Sequence, residues 1–246
     1  AIFRSGNLQN VISIDPLATE KTEIIFGPGS VVYGSDAIGG VMSFYTLPVK
    51  FPQDHNYLVK GNALVRFSSA DKENTGHFDV AYGKGNWGFI TSTTYSTFDD
   101  LKMGSNGPDE YLRPSYAVRI NNTDSMVNNS DSKIQVSTAY NQLNLMQKVG
   151  YQPSKDLNII YGFHYSATTD FNRYDRLIRY RNGNQRSAEW YYGPQIWMMN
   201  NLNLSSKNAG LIFDKADFVF AMQYFKESRH DRNFNDSELR HRTEKV

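Results

Sequence analysis

The chain of 246 residues reads as mainly β, and more narrowly as part of a transmembrane antiparallel β-barrel. Three observations lead there. Apolar residues recur at every second position through segments of about ten residues, connections alternate between short and long, and aromatic content runs against mean hydropathy. The 16 Tyr, 15 Phe and 3 Trp accompany a mean hydropathy of −0.56. No run approaches the roughly 20 apolar residues of a transmembrane helix. A membrane-spanning barrel reconciles these facts, because its strands alternate lipid-facing with lumen-facing residues and its aromatics form girdles at the interfaces. Composition by itself favours a water-soluble β-sandwich; the pattern along the chain decides against it.

From Tyr57 onward the dominant period is two. Over 58–68, Val59, Gly61, Ala63, Val65 and Phe67 share one face, against Lys60, Asn62, Leu64 and Arg66. Over 77–83, Phe78, Val80 and Tyr82 alternate with His77, Asp79 and Ala81. Over 157–169, Ile159, Tyr161, Phe163, Tyr165 and Ala167 alternate with Gly162, His164, Ser166 and Thr168. Over 216–226, Phe218, Phe220, Met222 and Tyr224 form one face. Segments 87–98, 135–152 and 191–204 are similar in length with a less regular pattern, and an eighth strand begins near Leu239. Such lengths suit a tilted membrane crossing.

After a first hairpin at 69–74, the links at 84–86 and 153–156 are tight, whereas 99–133 and 170–190 are long and polar. Short turns on one side and long loops on the other are what outer-membrane barrels show, the short ones periplasmic. Eight strands can close a small barrel, so a compact eight-stranded cylinder is one solution for these segments.

Before Tyr57 the pattern differs. A short strand is expected at 10–14, broken by Asp15-Pro16, then a turn, then a strand at 23–26. Residues 23–46 place the apolar runs 24–26 and 41–45 around Gly27, Pro28, Gly29, Gly34, Gly39 and Gly40. Pro28 suits the first turn of a short helix and Gly34 its left-handed close. Strand, one helical turn, glycine turn, strand is the local expectation. Pro48, Pro52 and the polar 53–56 then make a linker.

The 23–46 string closely resembles the end of the plug domain of TonB-dependent outer-membrane receptors, through Glu23, Gly27, Pro28, Tyr33, Gly34, Ser35, Ala37, Gly39 and Gly40. Segments 188–195 and 223–232 look like early barrel strands of that family. The resemblance implies the C-terminal part of an α+β plug domain at 1–47, a linker at 48–56, and at 57–246 the opening strands of a barrel of about 22 strands, a size associated with a plugged lumen. It implies that a signal peptide, the early plug and the segment gripped by the energy-coupling protein TonB lie upstream. It further implies active uptake of a scarce metal chelate across the outer membrane of a Gram-negative cell. Ferric siderophore comes first, then haem or cobalamin. Glycan importers of the related type usually carry Ser-Arg-Ala-Ala-Asn-Gly where residues 35–40 stand. A passive porin, a surface adhesin barrel and a soluble carbohydrate-binding sandwich are the competing classes.

Zero cysteines exclude a disulfide framework and a thiolate metal site, and a net charge of +1 gives no field for nucleic acid. No nucleophile elbow, phosphate-binding loop or dinucleotide fingerprint is present, so no enzyme and no resident cofactor are expected. The loop 170–190 interleaves Arg173, Arg176, Arg179, Arg181 and Arg186 with Phe171, Tyr174, Tyr180 and Trp190. Guanidinium forks and aromatic faces suit an anionic aromatic chelate, so Arg173, Tyr174, Arg176, Arg179 and Trp190 are the candidate ligand-binding set. A loop that meets lipopolysaccharide phosphates, or is simply solvated, fits the same residues. His77, His164 and Asp79 fall on the presumed lumen face, where a hydrogen-bonded wall role competes with metal or haem ligation. For Glu20, Lys21 and Glu23, pairing with barrel-wall arginines competes with a solvated strand flank.

Overall fold

The computed structural model describes residues 13–35, 37–52, 57–207 and 214–245. The expected strand at 10–14 lies mostly outside the described residues, and Ser13 and Ile14 are not in a strand. β1 (Thr19–Phe26), the helical turn α1 (Ser30–Tyr33) and β2 (Gly40–Thr46) form a separate antiparallel hairpin. Gly34 closes α1 at a φ of 98°, while Gly29 rather than Pro28 stands at its N-terminus. The loop is cinched by Gly27 N–H donating to Gly39 O (3.2 Å) and Gly29 N–H to Ala37 O (2.8 Å).

The main sheet contains the long strands β3 (Tyr57–Ser68), β4 (Glu73–Lys84) and β5 (Trp87–Phe98). A small hairpin, β6 (Ser115–Ile120) and β7 (Thr123–Asn128), interrupts the run. Then come β8 (Tyr140–Ser154), β9 (Leu157–Thr168), the short β10 (Phe171–Asn172), the helical turn α2 (Tyr174–Leu177), and the two-residue β11 (Tyr180–Arg181) and β12 (Asn184–Gln185). β13 (Ser187–Tyr192), β14 (Ile196–Lys207), β15 (Lys215–Asn233) and β16 (Arg240–Lys245) complete it. Across the main sheet the order is β10-β13-β15-β14-β9-β8-β5-β4-β3, with β16 also on β15, and every pairing is antiparallel. Among the described residues the sheet is open, with β3 paired only to β4. The compact eight-stranded cylinder is therefore not formed by the described residues.

The two faces of this sheet are inverted relative to a soluble protein. Register places Thr75, His77, Asp79, Ser92, Thr94, Ser96, Gln142, Asn144, Ser166 and Thr168 on one face, and all are buried. The opposite face carries Val59, Val65, Phe67, Phe78, Tyr82, Tyr95, Tyr161, Phe218, Phe220 and Met222, all exposed. Thr75 is 1% exposed where Val65 is 90% and Phe67 65%. Apolar outside and polar inside is the alternation of a wall that meets hydrocarbon on its outer surface.

The inner face is covered by the N-terminal segment. Ala18 and Val49 pack with Ala81, Ile90 and Met146, joined by Leu47, Phe51, Leu58 and Ile160. Lys148 Nζ donates to the carbonyls of Thr46 (3.2 Å) and Leu47 (2.8 Å). Glycines make the close approach possible: a Cβ on Gly88 would stand 2.5 Å from Val49 Cγ1 and 2.7 Å from Lys50 O. Replacing Gly88 by Val should lift residues 47–51 from the wall and cost about 1–3 kcal/mol by overpacking. A lowered Tm with new proteolytic cleavage near Lys50 is the expected result, and an unchanged digest would contradict this packing.

The strand boundaries differ from expectation in instructive places. β4 begins at Glu73 rather than at 77, because Arg66 and Thr75 bind the Glu73 carboxylate and hold the polar end in register. Residues 135–139 turn instead of extending, held by Ala139 N–H donating to Asp100 Oδ1 (3.0 Å) and Thr138 N–H to the same atom (2.7 Å). The expected strand at 191–204 is divided between β13 and β14, with Pro194, which lacks an N–H to donate, between them. β15 runs on to Asn233, past the end of β14, where β13 and β16 pair with it.

Candidate functional site

Strand alternation aims a polar network at the N-terminal segment. Asn62 donates to Asp79 (3.0 Å), Thr75 to Ser96 (2.8 Å), and Thr94 to Asp15 Oδ2 (2.6 Å). His77 has both ring nitrogens engaged, Nδ1 with Thr94 (2.7 Å) and Nε2 with Asp79 (3.3 Å). It is a wall residue. Between this face and the hairpin lie two cavities, of about 620 and 540 Å³. Arg66, Gln142 and Asn144 border the larger, while His164, Trp197 and Met199 border the smaller.

A second constellation sits where the long loops gather beyond β14. Register pairs Trp190 with Asp231 and Tyr192 with Arg229, on the face that carries Phe225. The guanidinium carbons of Arg173, Arg229 and Arg176 stand 5.3, 5.4 and 5.8 Å from the Trp190 ring centroid. Arg173 makes a two-pronged bond to Asp175 (2.7 and 2.9 Å), and Arg229 pairs with Asp231 at 3.2 Å. The bonds from Arg173 hold the Asp175 carboxyl below the usual carboxylate range. Arg176 Nε and Arg229 Nε are buried without a hydrogen bond. Three guanidiniums against two carboxylates leave an excess positive charge beside an indole face, chemistry that attracts a planar anion.

Of the predicted set, Arg173, Arg176 and Trp190 are brought together. Tyr174 points elsewhere: its hydroxyl donates to Tyr111 O at 2.5 Å and its ring lies under Arg113. Arg179 is exposed and donates from Nε to the Asp175 carbonyl (3.1 Å). Arg229 was not in the set, and its place in the β15 alternation, four residues after Phe225, is the signal that would have found it. Pairing of Glu23 with a wall arginine is one of its two expected roles, but its partners are Lys21 and the Tyr45 hydroxyl (2.9 Å), both in the hairpin. Gly27, Pro28, Tyr33, Gly34, Ser35, Gly39 and Gly40 shape the hairpin tip, and Ala37 is buried under it. Among the described residues no three His, Cys, Asp or Glu side chains converge to hold a metal ion.

No family model matches the chain, and no curated protein sequence matches it. A solved structure that shares the fold is described as "Copper transporter OprC", with a TM-score of 0.62 and 15% identity. The match covers 88% of this chain and 27% of that one, so the chain spans about a quarter of the neighbour's length. The family expectation does not stand. At that identity the likeness shows the fold alone, the described sheet is open, and residues 19–46 make one hairpin with a single helical turn rather than a plug domain. The assignment to TonB-dependent receptors, with the TonB partner it implied, is corrected accordingly. A mainly antiparallel β architecture is what remains.

The loops are held together by one buried ion cluster. Arg232 bonds Asp124 through both terminal nitrogens (2.6 and 2.9 Å) and Glu189 through Nε (2.9 Å), with Arg232 and Asp124 side chains 4% and 0% exposed. Burial pulls the Asp124 carboxyl upward, but Arg232 and the Asn235 N–H outweigh it, so the group titrates below its ordinary range. Because the folded value is depressed, this stabilisation is present above the unfolded pKa of about 3.9 and is lost as pH falls through the folded value. Asp124→Asn should cost about 1.5–3 kcal/mol, because Arg232 loses its two-pronged charged partner and keeps only Glu189. Hydrogen exchange should show 115–128 undocking at neutral pH in the variant and only below about pH 4 in the wild type. Equal protection in both at neutral pH would contradict the assignment.

Proposed function

We propose that this chain is part of the wall and outer loops of an outer-membrane β-barrel that takes up a metal-bearing solute. The inverted sheet carries the reading: β4, β5, β8 and β9 bury Thr, Ser, Asn, Gln and His on the inner face, while Phe, Tyr, Val and Met stand exposed on the outer face of β3, β4, β5, β9 and β15. A soluble sandwich would bury the second set. The hairpin and residues 47–51 cover the polar face, which favours a gated passage over the open lumen of a passive porin. A structural neighbour described as a copper transporter supports the metal class. The Arg173, Arg176, Arg229 and Trp190 cluster supports the finer reading, capture of an anionic metal chelate by the outer loops. A ferric siderophore fits that chemistry first, then haem or cobalamin.

Two measurements on the full-length protein test this reading. Leu145→Arg, on the outer face of β8, should lower folding stability in lipid vesicles by about 2–4 kcal/mol, whereas Asn203→Arg, half-buried on the inner face of β14, should cost far less. Equal costs would remove the membrane assignment. The double variant Arg176→Ala with Arg229→Ala should weaken binding of a ferric catecholate chelate about tenfold or more, as loss of charge-assisted bonds entails. Unchanged affinity would return these arginines to a purely structural role.

A further inference from the structure

One row across the inner wall differs in chemistry from the hydroxyls and amides around it. Met146 on β8 is the register partner of His164 on β9, and His164 is the register partner of Met199 on β14. Directly opposed residues on antiparallel strands have Cα atoms about 4.5–5.5 Å apart and project to the same side. Two thioethers therefore flank one imidazole. Ser92 lies opposite Met146 and Gln223 opposite Met199, so neutral groups bound the row across the sheet, while Lys148, two residues along β8 on the same face, gives its ammonium to the Thr46 and Leu47 carbonyls. From the hairpin, Met42 borders the same 540 Å³ cavity as Met146, His164 and Met199.

His164 is 7% exposed and Met146 3%, yet no described residue hydrogen-bonds to the His164 ring, whose nearest ring neighbour is Trp197 at 6.1 Å. His77, three strands away on the same face, has both nitrogens satisfied. Among the described residues nothing competes for this imidazole, which borders the cavity and is available to another ligand. Thioethers are soft donors and neutral imidazole a borderline one, and such a set selects monovalent copper over the oxygen-seeking Mg²⁺ and Ca²⁺. The row holds no carboxylate and the chain no cysteine.

We propose that Met146, His164 and Met199, with Met42 as a fourth donor, form a site for a soft monovalent cation, Cu(I) in the first place. The proposal rests on the uptake reading only in taking the inner face to be reachable from water. Because Met42 belongs to the hairpin and the other three to the wall, a bound ion would fasten one to the other. The competing role is gap-filling, since Met146 also belongs to the apolar cluster around Val49.

The test is a titration of detergent-purified full-length protein with Cu(I), under ascorbate and against bicinchoninate, with Ag(I) as a redox-inert second probe. One equivalent should bind. Loss of even an outer-shell partner costs a metal site about 10–100-fold in affinity, so Met146→Leu and Met199→Leu should each lose at least about tenfold, and His164→Gln more. Leucine preserves volume and apolarity, so the two Met variants remain informative if His164→Gln does not fold. No Cu(I) bound by the wild type, or equal affinity in both Met variants, would overturn the site. Ferric-chelate binding measured on the same preparations separates the two readings: its loss in the loop-arginine variant should leave Cu(I) affinity intact, and the Met variants should leave chelate binding intact.

Discussion

The structure depends on one constraint: polar side chains on the inner face of the sheet are buried and must bond one another or the segment that covers them. A buried hydroxyl or carboxylate without a partner costs about 1–3 kcal/mol, and the wall limits this by ladders across strands, leaving the Ser92 hydroxyl and the Asn201 side-chain oxygen as exceptions. Arg66, Glu73, Thr75 and Ser96 form one such ladder, and Asp15, Thr94, His77, Asp79 and Asn62 another. Asp15 belongs to the covering segment, so the second ladder ties that segment to β5. Seating the cover and satisfying the wall are the same event.

Above the strands the logic changes from ladders to a single hub. Arg232, far along β15, gathers Asp124 from the β6–β7 hairpin and Glu189 from β13. Gln185 accepts from Ala117 N–H (2.8 Å) and Tyr180 donates to Ser115 O (2.7 Å), binding the same loops together. This bonded frame holds Trp190 and its three guanidiniums, so the proposed capture site rests on packed loops. The Met–His row lies within the wall, and the two proposed sites differ in chemistry: charge and aromatic faces in the loops, soft donors on the wall.

Much of the wall was legible in the sequence because alternation is a local signal. β5 and β9 are legible to within a residue: Ile159, Tyr161, Phe163 and Tyr165 alternate cleanly in β9, and the tight link at 84–86 and the polar run from Asp99 bound the less regular β5. Long-range pairing was not legible. Nothing in 227–233 alternates in hydropathy, so the extension of β15 depends on partners that arrive from β13 and β16. Residues 135–139 have strand-like composition, but the Asp100 carboxylate captures their N–H groups and turns them. Arg229 joins Trp190 and Arg232 joins Asp124 only through the folded register. The glycine string at 23–46 foretold the hairpin and its single helical turn but did not carry the family it resembles.

The most direct test is a single-cysteine scan along β9 from Asn158 to Ala167 in the full-length protein reconstituted in vesicles, using nitroxide labels on a chain that has no native cysteine. Odd positions such as Tyr161, Phe163 and Tyr165 should relax with oxygen dissolved in the bilayer, and even positions such as Gly162, His164 and Ser166 should not. A period-two alternation with that phase is the expected result. The opposite phase, or equal shielding of both sets, would contradict the account.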